Sequence, residues 1–318
     1  MLKIGLFHNA PHIPLERQTP GSKAEWGNCK FHINEEIENC DWLVVYEGLI
    51  SRKTVNCPKN NTILITGEPP SVKQYDQKFL NQFRYVISCD QNIRHPGLIL
   101  SHQSLPWMTG ANWDGKQWHE TRGAYDTIIQ DDFETEKTKL VSGITSDKMF
   151  TEGHRKRVAY FQRLQDSSFE VDIFGRGIKN FGDKLEVTAS YKYHIVVENS
   201  SHPNYWTEKL ADALIAECHV FYYGCPNIYD FFPREAITLI DIEKFDDSLQ
   251  IIQAAISENK YEKSRKEIIE AKLKCVNEYN VFSVLSKIIE KQPPTEMRTK
   301  ITLEPERRRA GILVITMR

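Results

Sequence analysis

The sequence contains no run of eighteen or more apolar residues, so nothing in it reads as a membrane-spanning helix. It also lacks an excess of charge of either sign. The 41 Lys and Arg against 43 Asp and Glu leave a net charge of −2, which gives no electrostatic footprint for nucleic acid. CxxC pairs are missing, and the seven cysteines (Cys29, Cys40, Cys57, Cys89, Cys218, Cys225 and Cys275) are odd in number and widely spaced. That argues against a disulfide framework and a zinc site, and for plain core or surface thiols. The opening MLKIGLFHNAPHIP has too short an apolar core for a signal peptide, so the expected compartment is the cytoplasm. No internal repeat is present. No Asp-x-Asp pair follows a strand; Asp131-Asp132 and Asp246-Asp247 are adjacent pairs in polar stretches, so metal dependence is not indicated.

What is present is an ordinary globular composition, 40% hydrophobic and 26% charged, in 318 residues, enough for two domains. Short apolar runs closed by Gly or polar residues recur at residues 2–7, 41–47, 62–66, 85–89 and 98–100. Such runs fit strands buried on both faces of a parallel sheet. Residues 15–40 are polar and show no clear period. Residues 106–132, with Trp107, Trp113 and Trp118 close together, read as a long connection between domains whose tryptophans either stack on sugar rings or pack the loop. A second α/β series starts at Lys139, with strands expected at 140–144, 171–174, 193–197, 220–223 and 237–240. Helices are expected at 152–165, 246–256 and 261–291, the last stopped by Pro293 and Pro294. Two successive β/α halves predict two Rossmann-like domains. The tail places Arg307, Arg308 and Arg309 before AGILVITM, which reads as a frayed end, a docked strand, or a peripheral contact with an anionic membrane.

The chain is organised around residues 194–233, read as strand, loop, helix and strand. Glu198 and Asn199 follow the first of these strands, and Tyr205, Glu208 and Lys209 stand at the helix start, where unpaired N–H groups favour an anion. Lys209 makes this a candidate diphosphate site. Adjacent Glu208 and Lys209 are expected to point about 100° apart, one towards phosphate and the other towards a ribose hydroxyl. The plainer reading is a surface ion pair. Arg157, in the basic helix after the first strand of the second half, suits a phosphate through its paired donors, although Arg155, Lys156 and Arg163 are equal competitors on composition. Glu68 in ITGEPP follows a buried strand directly. Its place at the carboxyl end of a sheet, stiffened by Pro69 and Pro70, suits a general base or equally a structural carboxylate.

ENSSHPNYWTEKLADAL followed by VFYYGCPNIYDFFP resembles the donor-binding signature of the α1,3/α1,4-fucosyltransferases, glycosyltransferase family 10. SGITSDKMFTEGHRKRVAYFQRL and ITGEPP resemble two further segments of that family. The resemblance is strong over residues 140–245 and confined mainly to 62–70 in the first hundred. It implies an α/β GT-B type fold, two Rossmann-like domains facing a central cleft, and inverting transfer of L-fucose from GDP-fucose to a glycan acceptor. The acceptor hydroxyl expected is the 3-position of an N-acetylglucosamine-type residue of a surface polysaccharide such as lipopolysaccharide. Carried over by position, Glu68 would be the base, Arg157 and Lys209 would bind the diphosphate, and Glu208 would hold the ribose. Tyr205, with Glu198 and Asn199, would line the donor pocket. No cofactor is required on this reading, with a divalent cation such as Mn left as an optional aid to GDP release. Trp206 and Cys225 depart from what the pattern requires. The absence of an apolar anchor points to a soluble bacterial-type enzyme. The domains expected are an acceptor-side domain at 1–130, a nucleotide-sugar domain at 131–292 and a charged tail at 293–318. A relative using another nucleotide sugar, and a catalytically silent nucleotide-sugar-binding protein, remain the alternatives.

Overall fold

The computed structural model describes residues 1–147, 149–293 and 297–306. The chain divides into two compact units, Met1–Ser104 with Val281–Arg318, and Leu105–Asn280. This differs from expected boundaries at 130 and 292. The Trp-rich stretch is no linker. Trp107 is 1% exposed within the core of the second unit, and Ala111–Trp113 pairs antiparallel with Trp118–Glu120 in a small hairpin. The last helix, Val281–Ile289, belongs to the first unit, because its apolar face packs there and Phe282 sits edge-on against Phe31 at 4.9 Å.

In the first unit six parallel strands form the sheet: β1 (Leu2–His8), β2 (Cys29–Ile33), β3 (Trp42–Tyr46), β4 (Thr62–Ile65), β5 (Tyr85–Ser88) and β6 (Leu98–Leu100). Their spatial order is 2-1-3-4-5-6, with Glu25–Trp26 added antiparallel at the β2 edge. Continuous apolar sequence is explained by burial on both faces: every residue of β3 and β4 is buried. β2 gives no continuous apolar run because Lys30 and His32 alternate with its apolar residues. Of the tail, Arg298–Leu303 docks as a strand antiparallel to Lys53–Pro58. The membrane contact expected of Arg307 to Arg309 and AGILVITM lies outside the described residues.

The second unit repeats the arrangement with β7 (Lys139–Ile144), β8 (Asp172–Phe174), β9 (Tyr191–Val197), β10 (His219–Tyr223) and β11 (Ile237–Leu239), all parallel in the order 8-7-9-10-11. Helix α1 (Glu152–Asp166) follows β7, α2 (Glu208–Ile215) links β9 to β10, and α3 (Phe245–Ser257) and α4 (Arg265–Asn277) follow β11. The single helix expected over 261–291 is three: Lys260–Lys263, α4, and Val281–Ile289 after a break at Asn280. In both sheets the strand order reverses beside the first strand. The carboxyl ends at such a switch point are where open α/β sheets bind ligands. Among the described residues no helix is long and apolar enough to cross a membrane, and the seven cysteines are buried and free.

Candidate active site

The switch point of the second unit lies between β7 and β9, and the residues singled out from 157 to 209 converge there. Helix α1 begins at Thr151, whose hydroxyl accepts from the His154 backbone N–H at 3.3 Å. His154, Arg157, Tyr160, Phe161 and Leu164 form its buried stripe, at the spacing of one helical face. This register separates Arg157 from its neighbours. Arg155, Lys156 and Arg163 are exposed, Lys156 pairing with Glu152 at 3.0 Å and Glu243 at 2.6 Å.

Arg157 donates through Nη1 to the Asn199 side-chain oxygen and through Nη2 to Ser146 Oγ at 3.0 Å. Its Nε is buried without a partner, and no carboxylate among the described residues lies within ion-pair distance. Burial works against the guanidinium charge, with Glu198, Glu208 and Tyr205 partly offsetting it. A buried cation held only by neutral acceptors is poised for an anionic ligand. The approach of α1 to Asn199 depends on Gly153: a Cβ there would fall 1.8 Å from the Asn199 carbonyl oxygen. In an exposed helix Gly→Ala stabilises by about 1 kcal/mol. Here Gly153→Ala is expected to do the opposite, lowering the denaturation midpoint by an amount equivalent to about 1–3 kcal/mol, because the helix that carries Arg157 must shift away from Asn199. A more stable variant in thermal denaturation would count against the packing argument.

Glu198 is turned inward, 1% exposed, and accepts from the Thr207 backbone N–H and hydroxyl, both at 2.9 Å. Thr207 in turn caps α2, accepting from the Lys209 N–H at 3.2 Å. Burial raises the Glu198 carboxyl above its ordinary range, opposed by Lys209. Glu198 therefore acts on the site through Thr207 and Lys209, and its own side chain has no exposed surface for a ligand. The Lys209 ammonium lies 3.2 Å from Thr207 Oγ1, 3.3 Å from Glu208 Oε1 and 3.6 Å from Glu198 Oε2. The expected 100° separation of Glu208 and Lys209 is thus not kept by their ends: the long lysine stem swings back to its neighbour. Burial opposes the Glu208 charge, but Lys209 and Lys184 outweigh it and lower that carboxyl to about 2. With both side chains about a quarter exposed, the pair faces outward from a buried base.

Two further residues support this arrangement, of which Asp212 carried no signal in the sequence. Asp212, one turn after Glu208 and 1% exposed, accepts from the backbone N–H groups of Met108 at 2.9 Å and Thr109 at 3.0 Å, and pairs with Lys184. Gly224 ends β10 where a Cβ would stand 2.5 Å from Glu198 Cγ. Its carbonyl accepts from Ser201 Oγ at 2.7 Å, so the ENSS loop is fastened to the Gly-Cys-Pro turn. Tyr205 is 2% exposed, and Trp206 fills the core against Phe232 at 5.1 Å.

Glu68 belongs to the first unit, half-buried just beyond β4. The preceding Gly67 N–H donates to the Tyr75 hydroxyl at 2.9 Å, and the Pro69 carbonyl accepts from Val72 and Lys73 in a tight turn. Beside it, Glu47 ends β3 in the left-handed region with φ 64°, and a Cβ on Gly67 would lie 2.9 Å from its carboxyl carbon. Burial raises the Glu47 carboxyl, which Lys73 lowers and Glu306 raises. Two carboxylates therefore stand on adjacent strand ends of one sheet edge.

Two Rossmann-like parallel sheets, each with charged side chains beyond its carboxyl edge, give the α/β architecture of the GT-B fold. Residues 134–266 match the family model described as glycosyltransferase family 10 (fucosyltransferase), C-terminal. That match takes in the strands and helices that carry Arg157, Glu198, Glu208 and Lys209. Among curated relatives it is 41% identical over 76 residues to the 4-galactosyl-N-acetylglucosaminide 3-alpha-L-fucosyltransferase FUT5 of Hylobates lar, covering 23% of this chain and 19% of the relative. It is 40% identical over 76 residues to the 3-galactosyl-N-acetylglucosaminide 4-alpha-L-fucosyltransferase FUT3 of Homo sapiens, covering 23% and 20%. The aligned stretch thus spans about a fifth of these relatives. A crystal structure of an alpha1,3-fucosyltransferase superposes with TM-score 0.51 at 18% identity over 84% of this chain and 80% of its own. An alpha-glucosyltransferase in complex with UDP and a 13-mer DNA does so with TM-score 0.53 at 8% identity over 91% and 100%. These two likenesses establish the fold.

Proposed function

We propose that the protein is an inverting fucosyltransferase that moves L-fucose from GDP-fucose to a glycan hydroxyl, the 3-position of an N-acetylglucosamine-type residue of a surface polysaccharide. The observation that carries this reading is the buried, carboxylate-free Arg157 beside Asn199 and Lys209, at a switch point within the segment matched to the family. In a single displacement the acceptor oxygen forms a bond to the anomeric carbon while the bond from that carbon to the β-phosphate oxygen breaks. The electron pair goes to GDP and the hydroxyl proton to Glu68. Arg157 and Lys209 stabilise the charge that develops on the leaving diphosphate, which is usually the largest catalytic contribution in such sites. Glu208, kept ionised, accepts from the ribose hydroxyls, and Tyr205 and Asn199 shape the donor pocket.

Two cations at the diphosphate make a metal ion unnecessary in this scheme. Turnover is expected to survive exhaustive treatment with EDTA, and loss of activity restored by Mn would show that a cation shares the task. The contacts identified serve the diphosphate and ribose more than the sugar, which keeps a different nucleotide sugar as the second reading. A panel of GDP-fucose, GDP-mannose and UDP-sugars, scored by donor hydrolysis and thermal stabilisation, separates them: GDP-fucose should give the largest shift and the fastest hydrolysis, and preference for any other donor would overturn the assignment. Binding of GDP without turnover on any acceptor would favour a silent binding protein.

A further inference from the structure

The first unit brings together two cysteines that their spacing in the sequence does not pair. Cys40 precedes β3, and Cys57 lies in the strand Lys53–Pro58. A parallel bridge joins the segments that carry them at Asn39 and Asn56: the Cys40 N–H donates to the Asn56 carbonyl at 3.0 Å, and the Asn56 N–H to the Glu38 carbonyl at 2.9 Å. One step further along both chains, Cys40 and Cys57 stand opposite each other, and opposed residues point to the same face. Neighbouring strands lie about 4.7–4.9 Å apart, inside the roughly 4.4–6.8 Å between Cα atoms that a disulfide spans. The side chains agree with this register. Cys57 Sγ donates to the Asp41 carbonyl, next to Cys40, at 3.8 Å, and both cysteines belong to one apolar cluster with Val55 and Leu303.

The Cys57 thiol hydrogen-bonds the Cys40 sulfur, which holds Cys40 below the usual thiol range and pushes Cys57 up. The thiolate is the reactive form of cysteine, so Cys40 is the sulfur that an oxidant meets first. We propose that Cys40 and Cys57 form an oxidation site of the first unit, a dithiol that closes to a disulfide under peroxide and reopens under a thiol reductant. Cys40 attacks hydrogen peroxide: its S–O bond forms as the O–O bond breaks, and the departing hydroxide takes up the thiol proton as water. Cys57 then attacks the sulfenic sulfur of Cys40, so that the S–S bond forms, the S–O bond breaks and a second water leaves. The two thiols together give up two electrons and two protons, and one peroxide is reduced to two waters.

Position in the fold says what the bridge would change. Cys40 stands at the amino end of β3, the opposite edge of the sheet from Glu68, so the bridge leaves that carboxylate alone. It closes instead the loop that holds all of β3 and Glu47. Cross-linking such a loop takes freedom mainly from the unfolded chain, which makes the oxidised unit the more stable one. The docked tail strand controls access. Thr299 pairs opposite Cys57, and Arg298 Nη2 donates to Asp41 Oδ1 at 2.6 Å, so this strand ties together the two segments that carry the sulfurs. Both cysteines are fully buried, and peroxide enters when the tail strand opens locally.

The test treats the full, reduced chain with hydrogen peroxide under native conditions, blocks the remaining thiols on unfolding, and maps the digest by mass spectrometry. Two peptides joined through Cys40 and Cys57, together lighter by two hydrogen atoms and separated again by dithiothreitol, are expected. The Tm of the oxidised protein should exceed that of the reduced protein by about 5 °C or more. Cys57→Ala and Cys40→Ala should each lose both the joined peptides and the rise in Tm, and either one supplies the answer if the other fails to fold. Arg298→Ala should form the bridge several-fold faster, because the hold of the tail strand on Asp41 is gone. Both thiols still open to blocking after peroxide, a bridge from either to a different cysteine, or a rise in Tm that survives in Cys57→Ala overturns the proposal. An unchanged rate in Arg298→Ala overturns the tail strand's part in it.

Discussion

Glu68→Gln is expected to cut turnover by about 10²–10⁴-fold, the range that general-base groups contribute, with GDP affinity unchanged. The substitution keeps the shape and removes the group that can take a proton. The backbone on both sides of Glu68 is fixed: the Gly67 N–H donates to the Tyr75 hydroxyl at 2.9 Å, and the Pro69 carbonyl accepts from Val72 and Lys73 in the turn that follows. The lack of Cβ at Gly67 also brings Glu47 close, its carboxyl raised by burial. Steady-state release of GDP in the presence of acceptor, alongside calorimetry with GDP, separates the two effects. A rate within a few-fold of the unaltered protein would transfer the base role away from Glu68, and Glu47 on the neighbouring strand end would be the first carboxylate to test.

Much of this arrangement was legible in the sequence, for a physical reason. Strands buried on both faces appear as unbroken apolar runs, and ten strands of the two sheets fall where such runs were read, from β1 to β11 with β2 missing. β2 interleaves Lys30 and His32 with its apolar residues, so it looked like polar loop. The break at Asn280 was invisible, since helix-forming residues continue on both sides of it. Trp107 shows the limit of composition: tryptophans clustered among Gly and Asp read as a long connection between domains, whereas Trp107 is core and Trp113 packs at a tilt against Trp118 at 5.6 Å across a hairpin. For the site, spacing alone placed Glu208 and Lys209 at a helix start, but not Lys209's return to Glu208. Gly153, Asp212 and Gly224 act by what they leave room for or anchor, across separations that a linear reading does not connect.

Loss of either cation proposed to bind the diphosphate, Arg157 or Lys209, is expected to weaken GDP binding by about 10–150-fold, from the roughly 1.5–3 kcal/mol of a charge-assisted hydrogen bond, but the two losses should differ in kind. Arg157→Ala removes a cation with no carboxylate to leave behind, so the fold should keep its stability while calorimetry shows the affinity gone. Arg157→Lys should recover only part of it, because an ammonium cannot reproduce two parallel donors at the Asn199 and Ser146 positions. Lys209→Ala instead strands Glu198, a carboxylate with no exposed surface whose nearest cation is that ammonium at 3.6 Å. Uncompensated buried charge is costly, typically about 3–5 kcal/mol when one partner is removed, so this variant should lose both Tm and GDP affinity. Adding Glu198→Gln to Lys209→Ala should then restore most of the Tm and none of the affinity, since the amide can still accept from Thr207. If the double variant regains GDP binding, Lys209 serves α2 and the diphosphate is held elsewhere. If it regains neither, the carboxylate and the ammonium are not coupled through Thr207 in the way the distances imply.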